Sequence, residues 1–296
     1  MDKEHEVQQI LEINRAAGNG AKKIIQKIAV SSLREKLLLR DDKFIEEKWY
    51  QDHFVNYLEF FSIKEGLADT IEVLEDLFPL ESLENDLEED TAQEAHEKEK
   101  ECEVFLYQKR EERWEEGERN PRIHLKIVIW PFQIPFVLEL IPYEGEILLP
   151  EEKILESVLP EKISYCMFTP EEYLSRSFYR IIDDLELIYS LSWYNDSYDI
   201  LTKKVVEGRK VSKSLGQLLL ENSIPALEER LDIVSSFEDY EYMEKRWENY
   251  NKGAACPEWK QVIELLMRFF TPIFEMIQKD EVFIGDWMPQ VGRYLD

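Results

Sequence analysis

The acids Asp196 and Asp199 stand three residues apart in the run Asn195-Asp196-Ser197-Tyr198-Asp199-Ile200. On a helix that spacing puts both carboxylates on one face, close enough to share a cation or a basic partner. Glu139 is the other acid in an unusual setting, alone in the apolar run Phe136-Val137-Leu138-Glu139-Leu140-Ile141. Alternation on an edge strand would turn it to water. Gly18-Asn19-Gly20-Ala21-Lys22-Lys23 opens a helical pattern and could cradle an anion on backbone N–H groups, although the same tripeptide also serves as a plain turn. Four histidines and three cysteines fall in no metal-ligand spacing, and no Ser-His-Asp or Cys-His pattern stands out.

These residues must be positioned by elements whose periods can be read. Thr169 can cap a helix that Pro170 begins and that Glu171 and Glu172 favour by their charge. Tyr173, Leu174, Phe178, Ile181, Ile182, Leu185, Ile188 and Tyr189 then predict one long amphipathic helix. Helices are also expected in the first part of the chain, with a break at Gly18-Asn19-Gly20, helical spacing through Leu33–Leu39, and a stripe from Asp42 to Phe61. Further helices follow Lys203, over Leu215–Leu220, Ile224–Ile233, Tyr240–Tyr250 and Trp259–Ile277, with Trp247, Trp259, Phe269 and Phe270 as core. Strands are expected over Ile123–Trp130, Phe136–Ile141, Ile147–Leu149 and Ile163–Phe168. The result is an α+β protein: a small mixed sheet packed by helices, followed by a C-terminal helical bundle. Residues 1–200 form the first domain and 201–296 the bundle. A Glu-rich insertion at about 81–118 reads as a mobile loop or a solvated helix, with Val104–Trp114 anchoring one short element.

Sixty-three acidic against 36 basic residues give a net charge of −27. Such a surface repels phosphate backbones, so DNA is not expected as a partner and RNA would need a local basic patch. Lys22-Lys23-Lys27, Lys203-Lys204 and Arg209-Lys210-Lys213 are the candidates. The charge itself serves solubility or an acidic face for a basic partner. No apolar run approaches the ~20 residues that span a bilayer, the first residues lack a signal-peptide core, and cysteines are few. A cytoplasmic protein without membrane contact is expected.

Glu171-Glu172-Tyr173-Leu174, the Asp196-Ser197-Tyr198-Asp199-Ile200 element, and the closing segments Trp247–Tyr250, Pro257–Trp259 and Phe269–Ile273 resemble the C-terminal signature of AbiEii/AbiGii-type nucleotidyltransferase toxins, over roughly 122–277. Asn195 stands where that family has arginine, and Arg176 or Ser177 where it has the helix lysine. The resemblance implies a nucleotidyltransferase-like fold. It also implies transfer of a nucleoside monophosphate from an NTP, with Mg²⁺, to RNA or protein, as the toxin half of a phage-defence toxin–antitoxin module with a cognate antitoxin. Carboxylates on adjacent strands would hold the metal. Leu138-Glu139-Leu140 has the form of the family's late acidic strand, so Glu139 would be both metal ligand and catalytic acid, with Asp196 and Asp199 supporting catalysis. No Gly-Ser turn precedes an Asp-x-Asp strand. The nearest substitutes are Ser31 and Ser32 for the phosphate, with Arg176, and Asp41 and Asp42 for the metal. The alternative is a catalytically inactive relative that acts as an acidic protein-binding module.

Overall fold

The computed structural model describes residues 3–46, 49, 53–80, 102–109, 120–147, 150–155, 163–224, 226–252 and 256–295. The chain divides into two compact units, Met1–Glu144 with Pro150–Met167, and Gly145–Leu149 with Phe168–Asp296. The expected boundary at residue 200 therefore gives way to one near Phe168, because the helices that carry Tyr173 and Asp196 pack among the C-terminal helices. Most of the acidic insertion at 81–118 lies outside the described residues, as does most of the strand expected at Ile147–Leu149; within the insertion, residues 102–109 carry a short strand.

The first unit is built on a seven-stranded mixed sheet. Its strands are β1 (Leu37–Leu39), β2 (Tyr57–Ile63), β3 (Glu103–Leu106), β4 (Arg122–Ile129), β5 (Phe132–Tyr143), β6 (Pro150–Leu155) and β7 (Ile163–Phe168). They lie in the order β3-β4-β5-β2-β1-β7-β6. Pairing is antiparallel for β3–β4, β4–β5 and β1–β2, and parallel for β2–β5 and β1–β7. Alternation explains one face: Ile123, Leu125 and Ile127 of β4 and Phe136, Leu138 and Leu140 of β5 are buried in one core with Leu58 and Phe60 of β2. Helices α1 (Lys3–Ala29) and α2 (Leu67–Asp76) add Ala17, Ala21, Ile24, Ile28, Ile71 and Leu74 to that core.

Three expectations change here. Gly18-Asn19-Gly20 does not break α1, which runs unbroken to Ala29. Gly20 is there because the helix meets the sheet closely: a Cβ on it would collide with the Ile127 side chain. Leu37–Leu39 is a strand although its spacing read as helical, since an all-apolar triplet fits a strand buried on both faces. Within the stripe from Asp42 to Phe61, the described residues include a short 3₁₀ turn at Lys43–Ile45 and the start of strand β2 in place of a continuous helix.

The second unit contains α3 (Pro170–Asp184), α4 (Ser192–Lys203), α5 (Gly208–Glu221), α6 (Leu227–Ser236), α7 (Glu241–Tyr250) and α8 (Trp259–Gln278). It also holds a three-stranded sheet, β10-β9-β8, of Val206–Glu207, Asp286–Met288 and Arg293–Leu295 in chain order β8 to β10. The predicted start of α3 is realised: Thr169 Oγ1 accepts the Glu172 N–H at 3.2 Å, with Pro170 opening the helix. Its core gathers Phe178, Trp247, Trp259, Phe269 and Phe270, and the Phe178 and Phe270 rings stack at 3.8 Å.

The long helix expected through Tyr189 ends at Asp184. Leu185 turns to φ 50° and a 3₁₀ turn follows over Leu185–Leu187. Two arginines take the carbonyls that the helix releases. Arg230 Nη1 donates to Ile182 O (2.9 Å) and Asp183 O (2.7 Å), while Arg246 donates to Glu186 O (2.7 Å) and to Ile188 O. A periodicity of side chains cannot register those distant donors. Ile188 stays buried, but Leu187 and Tyr189 face solvent.

Candidate functional site

The register of the first sheet builds a row that crosses four strands. Arg122 of β4 pairs with Glu139 of β5, and Glu139 pairs with Glu59 of β2. Arg40, directly after β1, donates its backbone N–H to Glu59 O at 3.0 Å. Side chains directly opposite in neighbouring strands lie on one face about 5 Å apart. The row therefore reads Arg122, Glu139, Glu59, Arg40: two acids side by side, with a guanidinium at each end.

Each acid is held by its neighbour in the row. Arg122 Nε donates to Glu139 Oε2 at 2.6 Å, and Arg40 Nη1 meets Glu59 Oε1 at 3.0 Å. Glu139 is buried, and its Oε1 accepts Asn120 Nδ2 at 2.9 Å. Burial pushes the Glu139 carboxyl up, but hydrogen bonds from Tyr57, Asn120 and Arg122 outweigh it and hold the group below its ordinary range. The Tyr57 phenol is pushed up, by burial first and then by its bond to Glu139, so it remains a donor. A carboxylate held below its ordinary range is a weak general base near neutrality. A divalent ion bridging Glu59 and Glu139 would compete with the Arg40 and Arg122 guanidiniums for these carboxylates.

Asp41 and Asp42 take other partners. Asp42 Oδ2 accepts Lys153 Nζ (2.8 Å, β6) and Tyr165 OH (3.1 Å, β7), on the opposite side of β1 from Glu139. Burial raises the Asp42 carboxyl, yet the bonds from Lys153 and Tyr165 bring it below the usual aspartate value. Asp41 Oδ1 accepts the Lys43 N–H at 2.9 Å, a turn-forming contact. Among the described residues no group of three or more His, Cys, Asp or Glu side chains could hold a metal ion, so Asp41, Asp42 and Glu139 do not assemble as one. Ser31 closes the end of α1, its Oγ donating to Ile28 O at 2.7 Å and accepting the Leu33 N–H at 3.1 Å, and Ser32 is exposed.

The remaining expected residues belong to the helical unit. Arg176 is buried, with Nε on Glu172 Oε1 and Nη2 on Glu146 O, both at 2.8 Å, and its guanidinium lies over the Phe168 ring at 5.1 Å. Ser214 Oγ completes the pair by donating to Glu172 Oε2 at 2.7 Å. A buried ion pair needs this degree of hydrogen bonding to persist. Asp196 accepts Tyr173 OH at 2.6 Å, and Asp199 pairs with Lys203 at 2.9 Å. The two aspartates share a helix, as expected, but Asp196 meets the Tyr173 hydroxyl while Asp199 meets the Lys203 ammonium. Lys203 and Lys210, both in expected basic patches, have carboxylate partners in Asp199 and Glu207.

Glu59, Arg40, Tyr57, Asn120 and Arg122 escaped the sequence reading. One signal was present: Leu58-Glu59-Phe60 repeats the hydrophobic–acid–hydrophobic form of Leu138-Glu139-Leu140. The helical spacing of apolar residues from Asp42 to Phe61 masks it. No protein-family model matches the chain, and no curated protein matches it.

Proposed function

We propose that this chain is a non-catalytic relative of nucleotidyltransferase-type proteins that acts as an acidic protein-binding module. The carrying observation is the closed charge row, in which Arg40 and Arg122 stand as counter-ions beside Glu59 and Glu139. Two neighbouring carboxylates in a metal enzyme repel until the cation arrives; here each already has a guanidinium. The net charge of −27 disfavours nucleic-acid partners and favours a partner with a basic surface. Cytoplasmic residence fits the three free cysteines, and among the described residues no helix is long and apolar enough to cross a membrane.

A second reading keeps one specific observation in its favour: Glu59 and Glu139 lie side by side on parallel strands, as carboxylates must to share Mg²⁺. Under it, Mg²⁺ and an NTP would serve nucleotide transfer to RNA or protein, with an antitoxin as partner. One experiment separates the two. The chain is heated with Mg²⁺ and each of the four NTPs, and α-labelled NTPs are offered with total RNA and with protein. A ligand at a hundredfold excess over its Kd stabilises by about 2.7 kcal/mol. The expected result is no thermal shift and no incorporation. Incorporation that Glu139→Gln abolishes overturns the non-catalytic reading.

A further inference from the structure

The segment between α3 and α4 is an apolar loop held out into solvent by design of its anchors. Leu187 is 83% exposed and Tyr189 71%. Scattered exposed hydrophobics are ordinary, but these two belong to a fixed patch. Arg246, which holds the carbonyls of Glu186 and Ile188 on either side of Leu187, also lies 5.7 Å from the Tyr242 ring. Tyr242 is 51% exposed and 5.8 Å from Tyr240, itself 42% exposed. Between Leu187 and Tyr189, Ile188 is buried and pins the backbone into the core. The loop is therefore preorganised, and little ordering entropy remains to be lost on binding.

Its surroundings are mainly acidic, although Lys260 pairs with Glu238 and Arg230 holds the carbonyls of Ile182 and Asp183. Segments 183–191 and 237–246 carry seven acids (Asp183, Asp184, Glu186, Glu238, Asp239, Glu241, Glu244) against Lys245 and Arg246. Of the two bases, Arg246 has its guanidinium turned to loop carbonyls. An apolar, tyrosine-bearing centre with a charged rim is the anatomy of a protein interface.

We propose that Leu187 and Tyr189, with Tyr240 and Tyr242, form the docking surface for a protein partner that offers an apolar pocket ringed by Lys and Arg. This inference rests on the binding-module reading and names its partner's chemistry. The acidic rim disfavours a second copy, which would bring the same charge to the contact, and it disfavours an anionic membrane.

The probe is a synthetic amphipathic peptide of repeating Leu and Lys, with oligolysine of equal charge as its polar counterpart, read by fluorescence anisotropy on the full chain. The double variant Leu187→Ser/Tyr189→Ser should weaken the Leu/Lys peptide at least about tenfold, the scale set by loss of an anchor side chain. Oligolysine should bind wild type and variant alike. Leu220→Ser, at an equally exposed leucine on α5, should bind like wild type, and unchanged near-UV circular dichroism should confirm that each variant folds. Equal peptide binding by the double variant, or an equal loss in Leu220→Ser, overturns the proposal. A wild-type dimer in sedimentation that the double variant abolishes assigns the surface to a second copy and also overturns it. So does loop-dependent binding to phosphatidylcholine vesicles. Nucleotide incorporation would instead overturn the reading on which the inference rests, whatever the peptide does.

Discussion

Glu139→Gln tests the closed charge row through stability. The substitution keeps the shape and one acceptor but removes the charge that faces Arg122, Asn120 and Tyr57. A hydrogen bond to a charged group contributes about 1.5–3 kcal/mol. The Arg122 side chain is half exposed, which brings its share toward the 0–1 kcal/mol of surface pairs. Glutamine retains part of the Tyr57 and Asn120 bonding, so the net cost is about 2 kcal/mol at pH 7. At about 2–4 °C per kcal/mol in a domain of this size, the midpoint should fall by about 4–8 °C. The pH dependence gives the second signature. Because the folded carboxyl sits below its ordinary 4.5, its contribution is complete above that value and is lost as pH falls through the folded value. The gap between wild type and variant should therefore be full at pH 7 and narrow below about pH 4.5. Thermal and urea unfolding across pH 3–7 read both. A variant that is more stable than wild type would refute the reasoning, because it is the behaviour of repelling acids that wait for a cation.

Two further outcomes follow from packing and burial. Gly20→Ala should destabilise despite the roughly 1 kcal/mol of helix propensity gained, because its Cβ meets Ile127 and overpacking costs about 1–3 kcal/mol; urea unfolding that shows added stability would contradict the close contact of α1 with β4. Cys256 is exposed, whereas burial pushes the Cys102 thiol up to about 11 and leaves on the order of one thiolate in a thousand at pH 8. Iodoacetamide at pH 8 should therefore label Cys256 first and Cys102 far more slowly, and equal rates by peptide mass spectrometry would contradict that burial.

Periodicity and capping are local, and where they govern, the sequence was sufficient. Thr169-Pro170 opening α3, the alternation of β4, and the apolar stripe of α8 follow from residues within a turn or a pleat of one another. The α+β class and the burial of Trp247, Trp259, Phe269 and Phe270 follow from the same signals. Long-range donors and register decide the rest. Leu185–Tyr189 continues the helical spacing, yet the helix stops because Arg230 and Arg246, 45 or more residues away, supply the hydrogen bonds that a loop backbone needs. The partner of Glu139 is likewise set by strand pairing: Glu59, 80 residues earlier, lies beside it, while Asp42 goes to Lys153 and Tyr165. One sequence by itself carries which residues are acidic and which runs are apolar. Which charges meet is fixed only when strands align, because a Coulomb contact depends on separation in space and not along the chain.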